Sequence, residues 1–239
     1  MSRLTTQDIL NISVDPRMIE AARLAYPFSI SPFGVRVAVV PVTSGLGVIP
    51  KFAESVREIL AAVGCDAFVT GSSDVAGLSE AYKRNADIVF MADDIEFAAY
   101  SLNSRVFASN GECTGRAFAA ALELSASGVN GKEVLVLGFG AVGQAAAEYL
   151  TERGTKVLVC DKDSTDWKNT THQLILDATS ERDIITGDNV TADTILSLPG
   201  MPIGVNPDVL RLCRDVIHSP LELGTIAMLA KILASEEKM

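Results

Sequence analysis

Hydrophobic and polar positions follow two alternating patterns along the first part of the chain. Short apolar or β-branched runs are typical of strands buried on both faces, and stretches with apolar residues at helical spacing lie between them. We predict strands over 35–42, 66–70 and 87–91, and helices over 5–26, 49–63 and 74–85. The alternation of strand and helix indicates a parallel sheet with right-handed crossovers.

The same alternation continues after a polar turn and a bridging helix at about 112–128. Further strands are predicted over 133–137, 156–160, 173–177, 194–198 and 215–218, and further helices over 142–153 and 224–235. The chain is therefore predicted to have an α/β fold with two lobes. Residues 1–128 form a smaller N-terminal substrate lobe with a parallel sheet, and residues 129–239 form a C-terminal Rossmann lobe. We expect the C-terminal helix to pack back on the cleft and close it.

Composition narrows the classes of function. The net charge is −10 and the 20 basic residues form no cluster, which argues against a nucleic-acid or anionic-membrane partner. The 4 cysteines lie far apart and have no spacing typical of a metal site. No apolar run is long enough to span a bilayer, so we expect a cytoplasmic protein. From the cysteine spacing we expect no bound metal, and we expect the protein to act on a small molecule.

Residues 134–143 form the most informative motif: a buried strand, a G-x-G-x-x-G turn and the start of a helix. In Rossmann folds this turn binds a dinucleotide pyrophosphate at the helix N-terminus. Asp161 ends the next strand, where a carboxylate accepts both ribose hydroxyls and repels a ribose phosphate, which favours NAD over NADP. The alternative is a glycine turn in a cofactor-free α/β protein. The predicted cofactor ligands here are Gly138, Phe139, Gly140, Ala141, Val142, Gly143 and Asp161.

Two further loops follow strands of the predicted Rossmann lobe. Ala178 and Thr179 follow one strand, and Pro199 and Gly200 follow the next. Both loops belong to the carboxyl edge of the sheet, where ligands of such folds bind. We predict that the first contacts the nicotinamide ribose and the second the nicotinamide ring. The alternative is that both are ordinary turns rich in Pro and Gly.

The predicted substrate lobe carries polar residues at the ends of two strands. Thr43 and Ser44 follow the first strand, where hydroxyls and backbone N–H groups suit a substrate carboxylate, or else cap a helix. Asp93 and Asp94 end another strand. The repulsion between two adjacent carboxylates disfavours ionisation of both. A cationic substrate would relieve this repulsion, and so would a raised pKa of one of the two groups. We predict that one of the pair is catalytic, with Asp93 as the first candidate; the alternative is a solvated residue or a helix cap.

Polar residues near the bridging helix and the last helix extend the candidate site. Asn110 and Thr114 open the bridging helix and are predicted substrate ligands. Cys113 beside them has no base near it in the sequence, so we do not predict a nucleophile. His218 precedes the last helix and is predicted to be structural. Glu222 opens that helix, where a carboxylate interacts favourably with the helix dipole.

Six segments of the chain occur in the order found in the pyrrolysine-forming dehydrogenases. They are Pro41–Gly45, Met91–Asp94, Cys113–Gly115, Gly138–Gly143, Pro199–Pro202 and Gly224–Leu229. The chain resembles this family over nearly its whole length, and the first two segments are the most specific. The resemblance implies an NAD-dependent oxidation of the carbon that bears the terminal amine of (3-methyl-D-ornithyl)-L-lysine. Loss of ammonia and closure of a pyrroline ring then give pyrrolysine.

The resemblance also implies roles for individual residues. Val42, Thr43 and Ser44 would line the substrate pocket, Asp93 or Asp94 would hold the substrate amines, and Leu4 would help to cover the pocket. A carboxylate within reach of an ammonium group attracts the cation and can accept its proton.

The chain departs from the family pattern in two places. The family has an acidic residue where this chain has His218-Ser219-Pro220, so we expect Ser219 and Glu222 to contact the substrate there. Ile95 stands where the family usually has Asn.

Two other classes of protein share parts of this pattern. A two-lobe dehydrogenase of the methylenetetrahydrofolate type has the same architecture but uses a catalytic Lys, for which Lys51 is the one candidate and lacks an accompanying Tyr. A non-enzymatic NAD-binding redox sensor would have no second polar cleft. Since two-lobe dehydrogenases are often dimeric, a homodimer is a possible assembly.

Overall fold

The computed structural model describes residues 13–161, 164 and 166–239. Of these, residues 13–113 and 221–239 form one compact unit, unit 1, and the described residues from 114 to 220 form a second, unit 2. The division falls within the bridging helix rather than at residue 128, and the C-terminal helix belongs to unit 1 rather than to the Rossmann unit. With that helix included, unit 1 is the larger of the two and not the smaller.

Ten strands and seven α-helices follow one another in the described part of the chain. In order they are α1 (Pro16–Ala25), β1 (Arg36–Val40), α2 (Phe52–Ala62), β2 (Asp66–Val69), α3 (Asp74–Lys83), β3 (Ile88–Ala92), β4 (Phe97–Ser101), β5 (Phe107–Ser109), α4 (Asn110–Ser125), β6 (Glu133–Leu137), α5 (Ala141–Glu152), β7 (Lys156–Cys160), β8 (Leu174–Asp177), β9 (Ile195–Ser197), α6 (Pro207–Leu210), β10 (Asp215–Ile217) and α7 (Pro220–Glu236). Among the described residues, no helix is both long and apolar enough to cross a membrane.

Unit 1 contains a five-stranded sheet in the order β2-β1-β3-β4-β5. The first three strands are parallel, as predicted, and β1 lies between β2 and β3. Strand β4 is antiparallel to β3, and β5 is antiparallel to β4. These two strands were not predicted from the sequence and extend the parallel sheet into a mixed one. Because β1 and β3 are parallel neighbours, the turns that follow them share one edge of the sheet.

Helix α7 is apolar on nearly every side, and most of its residues are buried. Side-chain hydrogen bonds attach it to the rest of unit 1, at Lys231 and at Glu236. The Lys231 Nζ atom donates to Glu112 Oε2 at 2.8 Å, and Ser101 Oγ donates to Glu236 Oε1 at 2.6 Å. Helix α7 thus completes unit 1, which explains why the predicted assignment to the second lobe differs from the structure.

Unit 2 contains a five-stranded, all-parallel sheet in the order β10-β9-β8-β6-β7. Strand β6, which lies between β8 and the edge strand β7, is buried except at its first residue. The chain moves from β6 to β7 on one side and then returns to β8 on the other side. Such a reversal of strand order opens a crevice at the carboxyl ends of the strands, which is where Rossmann folds bind ligands. The structure therefore confirms the predicted Rossmann architecture of this unit.

Candidate functional site

The turn after β1 and the turn after β3 are held together by Asp94 in unit 1. The Leu46 backbone N–H donates to Asp94 Oδ2 at 2.5 Å. Gly45 has a left-handed backbone, with φ of +69°, and a methyl group there would overlap the same carboxylate oxygen. The sequence placed these segments at one sheet edge, and the structure brings them into contact. Asp94 is exposed, so one anionic group of this edge faces solvent.

Asp93 forms the turn between β3 and β4. Its Oδ1 atom accepts hydrogen bonds from the Ile95 and Glu96 backbone N–H groups, each at 2.8 Å. These two bonds, that from Glu96 first, lower the pKa of the Asp93 carboxyl. Backbone hydrogen bonds therefore favour the ionised form of Asp93, so the raised pKa considered for the pair does not occur at this residue.

Thr43 has a well-defined partner that the sequence did not predict. Its backbone N–H and its hydroxyl donate to the two carboxylate oxygens of Asp74, at 2.8 and 2.7 Å. These bonds, together with one from Ser73 Oγ, lower the pKa of Asp74. Asp74 is the first residue of α3, with a left-handed φ of +54°, and Ser73 is the N-cap. The adjacent Ser44 is exposed and Val42 is half-buried.

The remaining predicted substrate ligands are spread over several elements. Asn110 is the half-buried first residue of α4, and Glu222 lies half-buried in the first turn of α7, both in unit 1. Thr114 is buried in α4, and Ser219 donates from Oγ to the His218 carbonyl, both in unit 2. Cys113 is fully buried, in line with its having no predicted nucleophilic role. Leu4 lies outside the described residues.

The glycine turn after β6 forms a cradle at the start of α5 in unit 2. Gly140 is the N-cap of α5, has no side-chain capping bond, and faces open space. A methyl group at Gly143 would overlap the Gly138 carbonyl, so α5 approaches the turn closely. Phe139 between them is half-exposed, and its carbonyl accepts from Gln144 Nε2 at 2.9 Å. Open backbone N–H groups and a positive dipole end suit an anionic group such as a pyrophosphate.

Asp161 lies beside this cradle. It follows β7, and the Gly138 N–H donates to the carbonyl of Cys160, the preceding residue, at 2.9 Å. Asp161 is exposed. Ala141 and Val142 form the first turn of α5. Since Leu137 pairs with Cys160 in the sheet, the glycine turn and Asp161 follow neighbouring strands at the same sheet edge.

The two predicted nicotinamide loops meet at the end of β8. The Gly200 N–H donates to the Asp177 carbonyl at 3.1 Å, and a methyl group at Gly200 would overlap the Thr179 carbonyl. A β-carbon at Gly138 would lie 3.0 Å from Thr179 Cγ2 and 3.2 Å from the backbone of Ala178. Pro199 leads into this contact. The glycine turn and both loops thus converge at the carboxyl ends of β6 and β8.

Asp177 is a site residue that sequence analysis missed. Its Oδ1 atom accepts from the Thr179 N–H at 3.0 Å and from the Thr179 hydroxyl at 2.7 Å. The residue is 1% exposed, and burial raises the pKa of its carboxyl to about 6. The one signal in the sequence was an acid at the end of an apolar run, Leu174–Asp177.

His218 contacts the backbone of a neighbouring strand end. Its Nδ1 atom lies 2.7 Å from the Leu198 carbonyl, which ties the end of β10 to the end of β9. Among the described residues, no group of His, Cys, Asp and Glu side chains could hold a metal ion.

Comparisons with known proteins place these features in a family. Residues 12–108 match the family described as "Pyrrolysine biosynthesis protein PylD, N-terminal domain". Pyrrolysine synthase of Methanosarcina acetivorans is 33% identical over 86% of this chain and 85% of its own. Pyrrolysine synthase of Methanosarcina barkeri is 32% identical over 98% of each chain.

The fold is shared more widely than the sequence. The bifunctional methylenetetrahydrofolate dehydrogenase/cyclohydrolase FolD of Campylobacter jejuni superposes with a TM-score of 0.59, covering 93% of this chain and 94% of its own. Their sequences are 16% identical, so the likeness concerns the two-domain fold alone.

Proposed function

Because this chain belongs to the pyrrolysine synthase family, we propose that it is an NAD-dependent dehydrogenase that forms pyrrolysine. The substrate is (3-methyl-D-ornithyl)-L-lysine, in which the ornithine unit acylates the lysine ε-amino group. The observation that carries this proposal is the exposed Asp94 carboxylate, fixed by Leu46 at the sheet edge beside Thr43 and Ser44.

The proposed reaction balances as a two-electron oxidation. NAD held in the cradle would supply the oxidant, by accepting the hydride from the carbon that bears the terminal ornithine amine. The resulting C=N carbon is attacked by the ornithine α-amino group, directly or after hydrolysis to the aldehyde. The terminal nitrogen leaves as ammonium, and a ring C=N bond forms. Any water consumed by hydrolysis is returned at ring closure. From the substrate with both amines as ammonium groups, two protons are released.

Asp94 has two tasks in this proposal. A hydride leaves an amine carbon only when the nitrogen carries a free lone pair, so the ammonium form must first lose a proton. Asp94 attracts the ammonium group and accepts that proton, with its orientation fixed by the Leu46 N–H. Asp93 holds the turn in which Asp94 lies, and Ser44 offers an exposed hydroxyl to the polar end of the substrate.

The cradle at the start of α5 fits a dinucleotide. Gly140 leaves open space at the helix N-terminus, and Asp161 lies beside it for the ribose hydroxyls. A carboxylate at this point disfavours a ribose phosphate, which supports NAD rather than NADP. In this assignment Gly138–Gly143 hold the pyrophosphate, Ala178 and Thr179 the nicotinamide ribose, and Pro199 and Gly200 the nicotinamide ring.

Incubation of the protein with NAD and the ornithyl-lysine isopeptide tests the proposal. We expect NADH absorbance together with a product of the mass of pyrrolysine. The variants Asp94→Asn and Asp93→Asn separate the acidic pair: the first should lose turnover while its NAD affinity persists, and the second should retain more activity. A wild-type protein that binds NAD but forms no NADH with this substrate would refute the proposal.

A further inference from the structure

Asp177 joins segments of the cofactor site that are distant in the sequence. Its side chain holds the turn after β8 through both the N–H and the hydroxyl of Thr179. Its backbone carbonyl accepts from Gly200 in the loop after β9. A single residue therefore connects the two loops that we assign to the nicotinamide half of the cofactor.

The second carboxylate oxygen of Asp177 points at the same loop. A methyl group at Gly204 would overlap Oδ2, so the backbone of this loop lies directly against the carboxylate. Oδ2 is buried and has no hydrogen-bond partner. A buried polar atom without a partner destabilises a fold, and few are retained in native proteins. An apolar side chain here would not have this cost but would also not hold Thr179.

Among the described residues, the hydrogen bonds of Asp177 go to Thr179 and Gly200 and not to Gly140 or Asp161. The glycine turn meets this group at Gly138, where a β-carbon would lie 3.0 Å from Thr179 Cγ2. Loss of the Asp177 carboxylate should therefore disturb the loops after β8 and β9 more than the positions of Gly140 and Asp161.

We propose that Asp177 is a positioning residue that fixes the nicotinamide-binding loops through Thr179 and the 199–204 loop. It does not touch the cofactor itself. The proposal rests on the proposed function, since it requires that unit 2 binds NAD. The affinity for the nicotinamide half of NAD then depends on a buried carboxylate beneath the two loops.

Calorimetric titration of the protein with NAD and with ADP tests this role. ADP has the adenosine and pyrophosphate of NAD but lacks both the nicotinamide ring and the nicotinamide ribose, which we assign to Ala178 and Thr179. In Asp177→Asn we expect the Kd for NAD to rise about tenfold, from the loss of a charge-assisted hydrogen bond, while the Kd for ADP changes by less than about twofold. Asp193→Asn makes the same chemical change at an exposed position of unit 2 and should alter neither constant.

A second pair of variants keeps the test independent of folding at position 177. Thr179→Val removes the hydroxyl that donates a hydrogen bond to Asp177, and Thr179→Ser retains this hydroxyl. We expect the first to weaken NAD binding selectively and the second to preserve it. Equal weakening of NAD and ADP binding in Asp177→Asn, or an unchanged Kd for NAD, would overturn the positioning role. A wild-type protein that binds neither ligand would instead overturn the proposed function.

Discussion

Gly45 and Asp94 show how one residue type determines the geometry of the candidate amine-binding group. The left-handed backbone of Gly45 and its contact with Asp94 Oδ2 leave no room for a side chain. We predict that Gly45→Ala displaces the carboxylate and lowers turnover of the ornithyl-lysine substrate by about tenfold or more, because misplaced catalytic groups lose their orientation. NAD affinity, measured by titration, should be unchanged.

Gly47→Ala is the matched control for this prediction. Gly47 has a similar left-handed backbone, with φ of +81°, but a methyl group there meets nothing within 4 Å. Both substitutions add backbone strain of roughly 1–2 kcal/mol. If the two variants lost turnover equally, strain in the turn and not the position of Asp94 would explain the effect.

Asp177 should make the stability of the protein depend on pH in a specific window. Burial raises the pKa of its carboxyl from 3.8 to about 6. The folded state holds this proton more tightly than the unfolded state, so the stabilisation is complete below about pH 4 and is lost as the pH rises through about 6. The free energy of unfolding of Asp177→Asn minus that of the wild type should therefore rise by about 3 kcal/mol from the bottom to the top of this window.

Urea denaturation of the two proteins between pH 4 and 8 measures this difference. Above the window the difference in the free energy of unfolding should be constant. Asp193→Asn should show no such step, since Asp193 is exposed. A difference that did not change with pH would mean that Asp177 titrates as an ordinary carboxyl.

Among individual residues, the sequence predicted which ones lie at each sheet edge. It did not predict two carboxylates that bond to them, those of Asp74 and Asp177. The contact between Asp94 and the turn at Leu46 follows from the parallel order of β1 and β3. The bond from Thr43 to Asp74 depends on an unusual left-handed φ in a non-glycine residue, which no local pattern signals. The burial of Asp177 depends on a loop beyond the next strand, so it follows from tertiary packing alone.

Tyr149 connects two helices of unit 2, α4 and α5. It is fully buried, and its hydroxyl donates to Glu123 Oε2 at 2.6 Å. The guanidinium groups of Arg116 and Arg153 lie over its ring, 5.4 and 4.8 Å from the centroid. A hydrogen bond to a charged acceptor contributes more than a neutral one, so Tyr149→Phe should lower the free energy of unfolding by about 2 kcal/mol.

Tyr82→Phe provides the comparison for this prediction. Tyr82 lies on α3 and is 73% exposed, so its substitution should change stability by less than about 0.5 kcal/mol. Chemical denaturation of both variants measures the two effects. A loss at Tyr149 no larger than that at Tyr82 would show that the bond to Glu123 contributes little.

Elements with a clear apolar pattern were predicted well, and those without one were not. The strands β1 to β3 and β6 to β10 all correspond to predicted runs, with ends shifted by a residue or a few. Strands β4 and β5 were missed because the turn before β4 contains neither Gly nor Pro and depends on the side chain of Asp93. Residues 5–12 of the first predicted helix lie outside the described residues; α1 begins at Pro16, after its N-cap Asp15.

Unit 1 is built from two separate stretches of the chain, and α7 supplies the second. Removing residues 221–239 should therefore unfold unit 1 selectively, because the sheet loses a helix that is buried along most of its length. Hydrogen exchange should become fast in β1 and β3 and stay slow in β6 and β8. Removal of residues 238 and 239 alone, which are exposed, should leave both sheets protected. Equal protection of the two sheets in the longer deletion would contradict this dependence.

The return of the chain to unit 1 also bears on how the protein is made. A ribosome that has finished the first 113 residues has not yet synthesised the helix on which their packing depends, and all of unit 2 must emerge in between. The middle of the message therefore encodes the part that can fold first. A premature stop codon anywhere within it would leave unit 1 without α7, although all the codons before position 114 had been translated correctly.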